Sequence, residues 1–208
     1  MSTRSLIAAC ILAVACGTAS ATADPAPQAD SATVAWHCYR SPVETVLATA
    51  KTDGVGSRFL ARKTTGDIKA DCMVEQRPGD FVIGATDDEA SNYIDLVKGL
   101  LLLDDGTGPD RTLVIYDLPA RKKLLSTGYS VQGNCDPSTG CRVEDFSIDD
   151  RGLTFWRETQ DKPNAKNCKG YAGFMKTTGS AAIEEKSLFN FVTYKVEPLG
   201  GKRCVARQ

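Results

Sequence analysis

From residue 33 onward the apolar positions fall in short runs that alternate with polar ones and are broken by Gly, Pro and Asp, the pattern of antiparallel β structure. Helical periodicity over more than a few residues is scarce. The pattern predicts strands at 33–40, 59–63, 67–75 and 80–85, the last broken by Asp87-Asp88-Glu89; residues 43–51 read equally as strand or short helix.

A clearer meander follows at 93–97, 100–103, 112–118 and 123–130, with Lys98-Gly99, residues 105–109 and Pro119-Ala120 supplying the turns. In 112–118, Val114 and Tyr116 point to one face and Leu113 and Ile115 to the other. Apolar side chains on both faces imply a strand buried between two layers, and 100–103 reads the same way. A second meander is predicted at 143–148, 153–158, 184–191, 192–197 and 204–207, with turns at 149–152 and Gly200-Gly201. Residues 159–182 read as one long loop tethered through Cys168.

The two meanders rhyme loosely: Leu102-Leu103-Asp104-Asp105 precedes 113–117 much as Ser147-Ile148-Asp149-Asp150 precedes 153–156, like the strand-turn-strand of a propeller blade. A closed propeller needs about four blades of roughly 40 residues, which this length barely permits. The predicted fold is therefore all-β, mainly antiparallel meanders, as a β-sandwich or partly open barrel; an incomplete propeller-like array is the alternative.

The N-terminus changes the picture of the compartment. Arg4 is followed by the apolar run 6–15 and the small-x-small site Ala21-Thr22-Ala23, the features of a signal peptide at 1–23. The run is too short to span a bilayer, so no transmembrane segment is expected. A flexible leader at 24–32 and a single domain at 33–208 would follow. Residues 13–16 resemble a lipoprotein box, so lipid attachment at Cys16 is the alternative to a soluble periplasmic or secreted product.

Cysteine usage agrees with export. Beyond Cys10 and Cys16 stand Cys38, Cys72, Cys135, Cys141, Cys168 and Cys204, an even set that reads as three disulfides in an oxidising compartment. Sequence does not select among the possible pairings; the expectation is Cys38 with Cys72, Cys135 with Cys141 and Cys168 with Cys204. No C-x-x-C pair exists and His37 is the single histidine, so zinc is not expected. Asp104, Asp105 and Asp110 lack the spacing of a calcium loop, and no cofactor is implied.

The segments Gly106-Thr107-Gly108-Pro109, Leu113 to Leu118, Phe155-Trp156-Arg157-Glu158 and Arg203 to Gln208 together resemble a family of exported bacterial proteins of unknown function, over roughly residues 93–208. The resemblance implies export and one β domain, and it carries over no catalytic residue.

Charge excludes one partner class. The chain has a formal charge of −1, and loss of Arg4 with the leader makes it one unit more negative, so no field draws nucleic acid or an anionic membrane. Arg121-Lys122-Lys123 reads as a solvated turn. Catalytic machinery is thin: there is no Gly-x-Ser-x-Gly elbow, a triad would have to use His37, and Asp87-Asp88, Asp104-Asp105 and Asp149-Asp150 lie at predicted turns, where Asp caps backbone. The candidate partner-binding residues are Trp156, an aromatic among polar neighbours on its face, and Ser126, Gly128 and Tyr129. The segment 126–129 reads as a hairpin end resembling the short Ser-Gly-Tyr loops of periplasmic lysozyme inhibitors.

These features point to a non-enzymatic periplasmic or secreted binding protein, an inhibitor or immunity-type partner of an envelope-acting enzyme, whose partner is a protein or small-molecule ligand of the envelope. A carboxylate-dependent hydrolase and a structural envelope lipoprotein are the alternatives.

Overall fold

The computed structural model describes residues 36–85, 89–108, 110–130, 135–136, 140–141 and 147–207, all within the compact unit Val34–Gln208. Sheet 1 contains β1 (Trp36–Arg40), β2 (Glu44–Ala50), β3 (Ser57–Lys63) and β4 (Phe81–Ile83), with the short helix α1 (Ile68–Asp71) between the last two. Sheet 2 contains β5 (Ser91–Val97), β6 (Leu100–Asp105), β7 (Asp110–Asp117) and β8 (Lys122–Ser130). A two-residue ladder of β9 (Cys135–Asp136) and β10 (Gly140–Cys141) leads to sheet 3: β11 (Ser147–Ile148), β12 (Gly152–Glu158), β13 (Ser180–Asn190) and β14 (Val196–Arg207), with helix α2 (Tyr171–Thr177) between β12 and β13. Each four-stranded sheet is an antiparallel meander in chain order, and none closes on itself.

The all-β antiparallel expectation holds, and the layering follows from the two-faced strands of sheet 2. On one face, Leu101, Leu103, Val114 and Tyr116 pack with Val46, Ala48, Phe59, Ala61 and Ile83 of sheet 1. On the other, Leu100, Leu102, Leu113, Ile115 and Tyr129 pack with Leu153, Phe155 and Phe189 of sheet 3 and with Phe191 just beyond it. The architecture is a sandwich with one layer more than two, the middle layer being the continuous apolar run of the sequence. Tyr39 of β1 and Tyr93 of β5 add a parallel ring stack at 3.6 Å between sheets 1 and 2.

The remaining face of sheet 1 is covered by the segment between β3 and β4. Leu47 and Leu60 lie on that face and are 0% and 1% exposed. Their neighbours Arg40, Arg58 and Arg62 reach into the covering segment: Arg40 to Asp71 at 2.8 Å, Arg58 to the Gln76 side chain at 2.6 Å, and Arg62 to Asp80 at 2.6 Å and the Met73 carbonyl at 2.7 Å. The Cys38–Cys72 disulfide pins the same segment to β1. In sheet 3 the Cys168–Cys204 disulfide ties the segment between β12 and β13 to the edge strand β14. These loops span 34 and 36 residues, and in the chain-entropy account each crosslink contributes roughly 3–4 kcal/mol. Both pairings agree with expectation; Cys135 and Cys141 stand opposite each other in the β9–β10 ladder, and their side chains lie outside the described residues.

Three expectations need correction. Residues 67–75 are not a strand: Asp67 accepts hydrogen bonds from the backbone of Lys69 and Ala70, which starts α1, and Cys72 ends it. The loop expected at 159–182 contains α2 and the first residues of β13. Residues 192–197 and 204–207 are not two strands; 191–195 is a turn, and β14 runs from Val196 to Arg207, with Gly200 and Gly201 at φ 79° and 82° absorbing a register shift against β13. The ambiguous 43–51 segment is the strand β2. Of the strand expected at 143–148, residues 143–146 lie outside the described residues.

Because both faces of sheet 2 are core, Leu101→Ala and Leu102→Ala should each cost about 2–5 kcal/mol in urea unfolding although the residues are adjacent; a near-neutral result for either would mean that its face is not covered. Burial, reinforced by Asp95 and Tyr39, pushes the Tyr93 phenol up to about 12. Its folded value lies above the unfolded value of about 10, so its contribution to stability is complete below pH 10 and drains away as the pH rises through about 12. Alkaline denaturation of Tyr93→Phe should therefore begin at higher pH than that of the native chain.

Candidate functional site

Of the sequence candidates, Trp156 lies on β12 of sheet 3, and Ser126, Gly128 and Tyr129 lie on β8 of sheet 2, the strand that contacts β12. Trp156 is half-buried on β12, directly opposite the exposed Lys186 of β13. The Arg203 guanidinium lies over its ring, 4.4 Å from the centroid. Arg203 is held there by its Nε, which donates to Glu184 at 2.8 Å. Glu184 is fully buried and also accepts from Arg207 at 3.3 Å. Arg207 in turn donates to Asp110 at 3.0 Å and to Glu158 at 3.1 Å, so one guanidinium ties β7, β12 and β13 together. The arrangement is a charged brace with an aromatic–cation pair at its outer end.

Gly128 stands against this brace. A β-carbon there would come within 2.5 Å of the Glu158 carboxylate, which would have to swing away from Arg207 to make room. Tyr129 is placed otherwise than the sequence suggested. It is 2% exposed in the core between sheets 2 and 3, and its hydroxyl donates to Asp104 at 2.5 Å. Burial and the Asp104 carboxylate raise its pKa well above the ordinary phenol value. Residues 126–129 do not end a hairpin: they lie within β8, paired to residues 111–114 of β7. Ser126 is exposed and Tyr129 is not, as alternation in an edge strand requires.

Carboxylates singled out in the sequence are committed to structural work. Asp104 accepts from Arg111 through both Nε, at 2.8 Å, and a terminal nitrogen, besides Tyr129. Asp149 caps the turn before β12, accepting from the backbone of Arg151 at 2.8 Å and Gly152 at 3.1 Å, bonds that lower its pKa. Asp87 and Asp88 lie outside the described residues. His37 is exposed on β1. Among the described residues no group of three or more His, Cys, Asp or Glu is arranged to hold a metal ion, and no helix is long and apolar enough to cross a membrane.

Two features escaped the sequence reading. The β13–β14 turn presents Val192 at 80% exposure on a rigid frame, because the Asn190 side chain accepts from the backbone of Val192 and Thr193. The Asn two residues before an apolar residue was a legible turn signal, masked by the apolar run around it. The second is Glu44, which is 7% exposed at the start of β2; a single acid heading an apolar strand carries no local mark of its burial.

Comparison with protein-family models, with curated proteins and with solved structures gives no match for this chain.

Removing one member of the brace should be felt through the fold. Glu184→Ala leaves Arg203 without its Nε acceptor and Arg207 with fewer carboxylates, and should cost roughly 3 kcal/mol in denaturant titrations; a loss under about 1 kcal/mol would show that water replaces it freely.

Proposed function

We propose that this chain is a binding protein of an oxidising compartment that engages a macromolecular partner through the surface centred on Trp156. The Cys38–Cys72 and Cys168–Cys204 disulfides fit an oxidising extracellular compartment. The observation that carries the reading is the Trp156–Arg203 pair. Trp and Arg are the side chains that dominate binding interfaces, and here they are ordered before any partner arrives, the guanidinium stacked at 4.4 Å and anchored by a buried carboxylate. A partly exposed aromatic held in this way loses little conformational entropy on association. Beside it, β14 at Arg203 borders a hollow of about 540 Å³ lined also by Asp161, Asn167, Lys169, Ile183 and Lys202, which keeps Arg203 open to water. The partner would set an apolar or aromatic group on the free side of the Trp156 ring and an acceptor beside Arg203.

A photo-crosslinking amino acid, p-benzoylphenylalanine, placed at Lys186 next to Trp156 tests this in the producing cell. One discrete adduct is expected, weakened at least about fivefold when Trp156→Ala is introduced into the same chain. Absence of an adduct, or one indifferent to Trp156→Ala, would overturn the reading.

A further inference from the structure

Sheets 1 and 2 part at one end, where the start of β2, the end of β3, Phe81 of β4 and the β7–β8 turn enclose a cavity of about 410 Å³. Glu44 forms its polar floor. Residues 44, 46 and 48 share the face that packs on sheet 2, so Glu44 continues the row of Val46 and Ala48 into the cavity. Its walls are the apolar parts of Val43, Ala61, Phe81, Leu118 and Pro119.

Glu44 differs from the other carboxylates with buried side chains. Asp71, Asp80 and Glu184 each bond an arginine, at 2.8, 2.6 and 2.8 Å. Among the described residues no donor or cation bonds the Glu44 carboxylate; the residue is 7% exposed, and its carboxylate oxygens keep contact with solvent through the cavity mouth. Lys63 stands directly across from it in the β2–β3 register, and Arg121 lines the same cavity from the β7–β8 turn. Burial raises the Glu44 pKa, the charges of Arg121 and Lys63 pull it back and the Asp117 carboxylate pushes it up again, so both cations are close enough to be felt but not to bond. The cavity thus holds a solvent-touched carboxylate with no bonded counter-ion at its base, and at its rim the exposed Lys63 and Arg121, of which Arg121 gives one nitrogen to the Gly79 carbonyl and keeps the others for a ligand.

We propose that this cavity binds a small zwitterion of the α-amino-acid type, its ammonium on Glu44, its carboxylate between Lys63 and Arg121, and its apolar side chain against Phe81 and Leu118. A purely anionic ligand would meet Glu44, and a purely apolar one would leave its charge without a partner. A lone carboxylate supplies too few ligands for a metal ion. The zwitterion satisfies the acid and both cations at once, and the volume is that of a small-ligand site. The site is separate from Trp156, and its success or failure leaves the partner-binding reading untouched.

Calorimetric titration of the purified protein with L-leucine, 4-methylpentanoate and 3-methylbutylamine tests the charge pattern, since the last two are leucine without its ammonium and without its carboxylate. Leucine should bind, and each analogue should bind at least about tenfold more weakly. Glu44→Gln should weaken leucine about tenfold. Arg121→Asn should weaken leucine but leave 3-methylbutylamine unchanged; asparagine suits the left-handed backbone of that turn, at φ 53°, and this variant and the analogue series decide the matter if Glu44→Gln does not fold. No binding of leucine up to about 10 mM, equal affinity for 4-methylpentanoate, or unaltered affinity in Arg121→Asn would overturn the proposal.

Discussion

Burial of the middle sheet on both faces is the constraint from which the rest follows. Leu100 through Leu103 are all at most 1% exposed, which no two-layer arrangement with one solvated face could achieve. A strand that is apolar on both sides must have a sheet against each, and the neighbouring meanders supply them. Sheets 1 and 3 then each have a surface left over, and a stack that simply stopped there would expose apolar rows such as Leu47 and Leu60.

For sheet 1 the solution is a pinned covering segment. Three arginines and a disulfide hold residues 64–80 over the face that bears Leu47 and Leu60, and Asp71 knots that segment by accepting from Thr65, Gly66 and Arg40. Those bonds hold the Asp71 carboxyl well below the usual carboxylate range, so its stabilising contribution is complete above the unfolded value near 4 and is lost only as the pH falls further into acid. Sheet 3 is secured differently, by the second disulfide and by the brace that runs from Asp110 through Arg207 and Glu184 to Arg203. A small core thus gains from crosslinks and buried polar ties what a larger one would gain from area alone.

Buried charge separates the structural from the functional. Glu184 is satisfied by two arginines, and its consequence is geometric: it fixes Arg203 over Trp156. Glu44, less deeply placed, opens into a cavity and has no bonded counter-ion among the described residues. The first arrangement costs desolvation and returns order; the second leaves a carboxylate that solvent reaches and a ligand cation can take over.

The strands, their antiparallel meander and the two-faced middle layer were legible in the sequence because side-chain alternation is a local property, repeated every second residue. The cysteines were legible as a disulfide set, but which of them join was decided by the stacking that brings Cys38 to Cys72 and Cys168 to Cys204. The short helix at Ile68–Asp71 was hidden by an apolar alternation that its Asp67 cap overrides. Tyr129 looked like the end of a loop but is core, because the register of β7 and β8 extends past Gly128. What only the tertiary structure decided is which charged groups come together: Arg207 meets Asp110 across 97 residues, and Glu44 faces a cavity it shares with Lys63 and Arg121. Those outcomes depend on how whole sheets stack, and the energy of a buried charge is set by neighbours that no local pattern records.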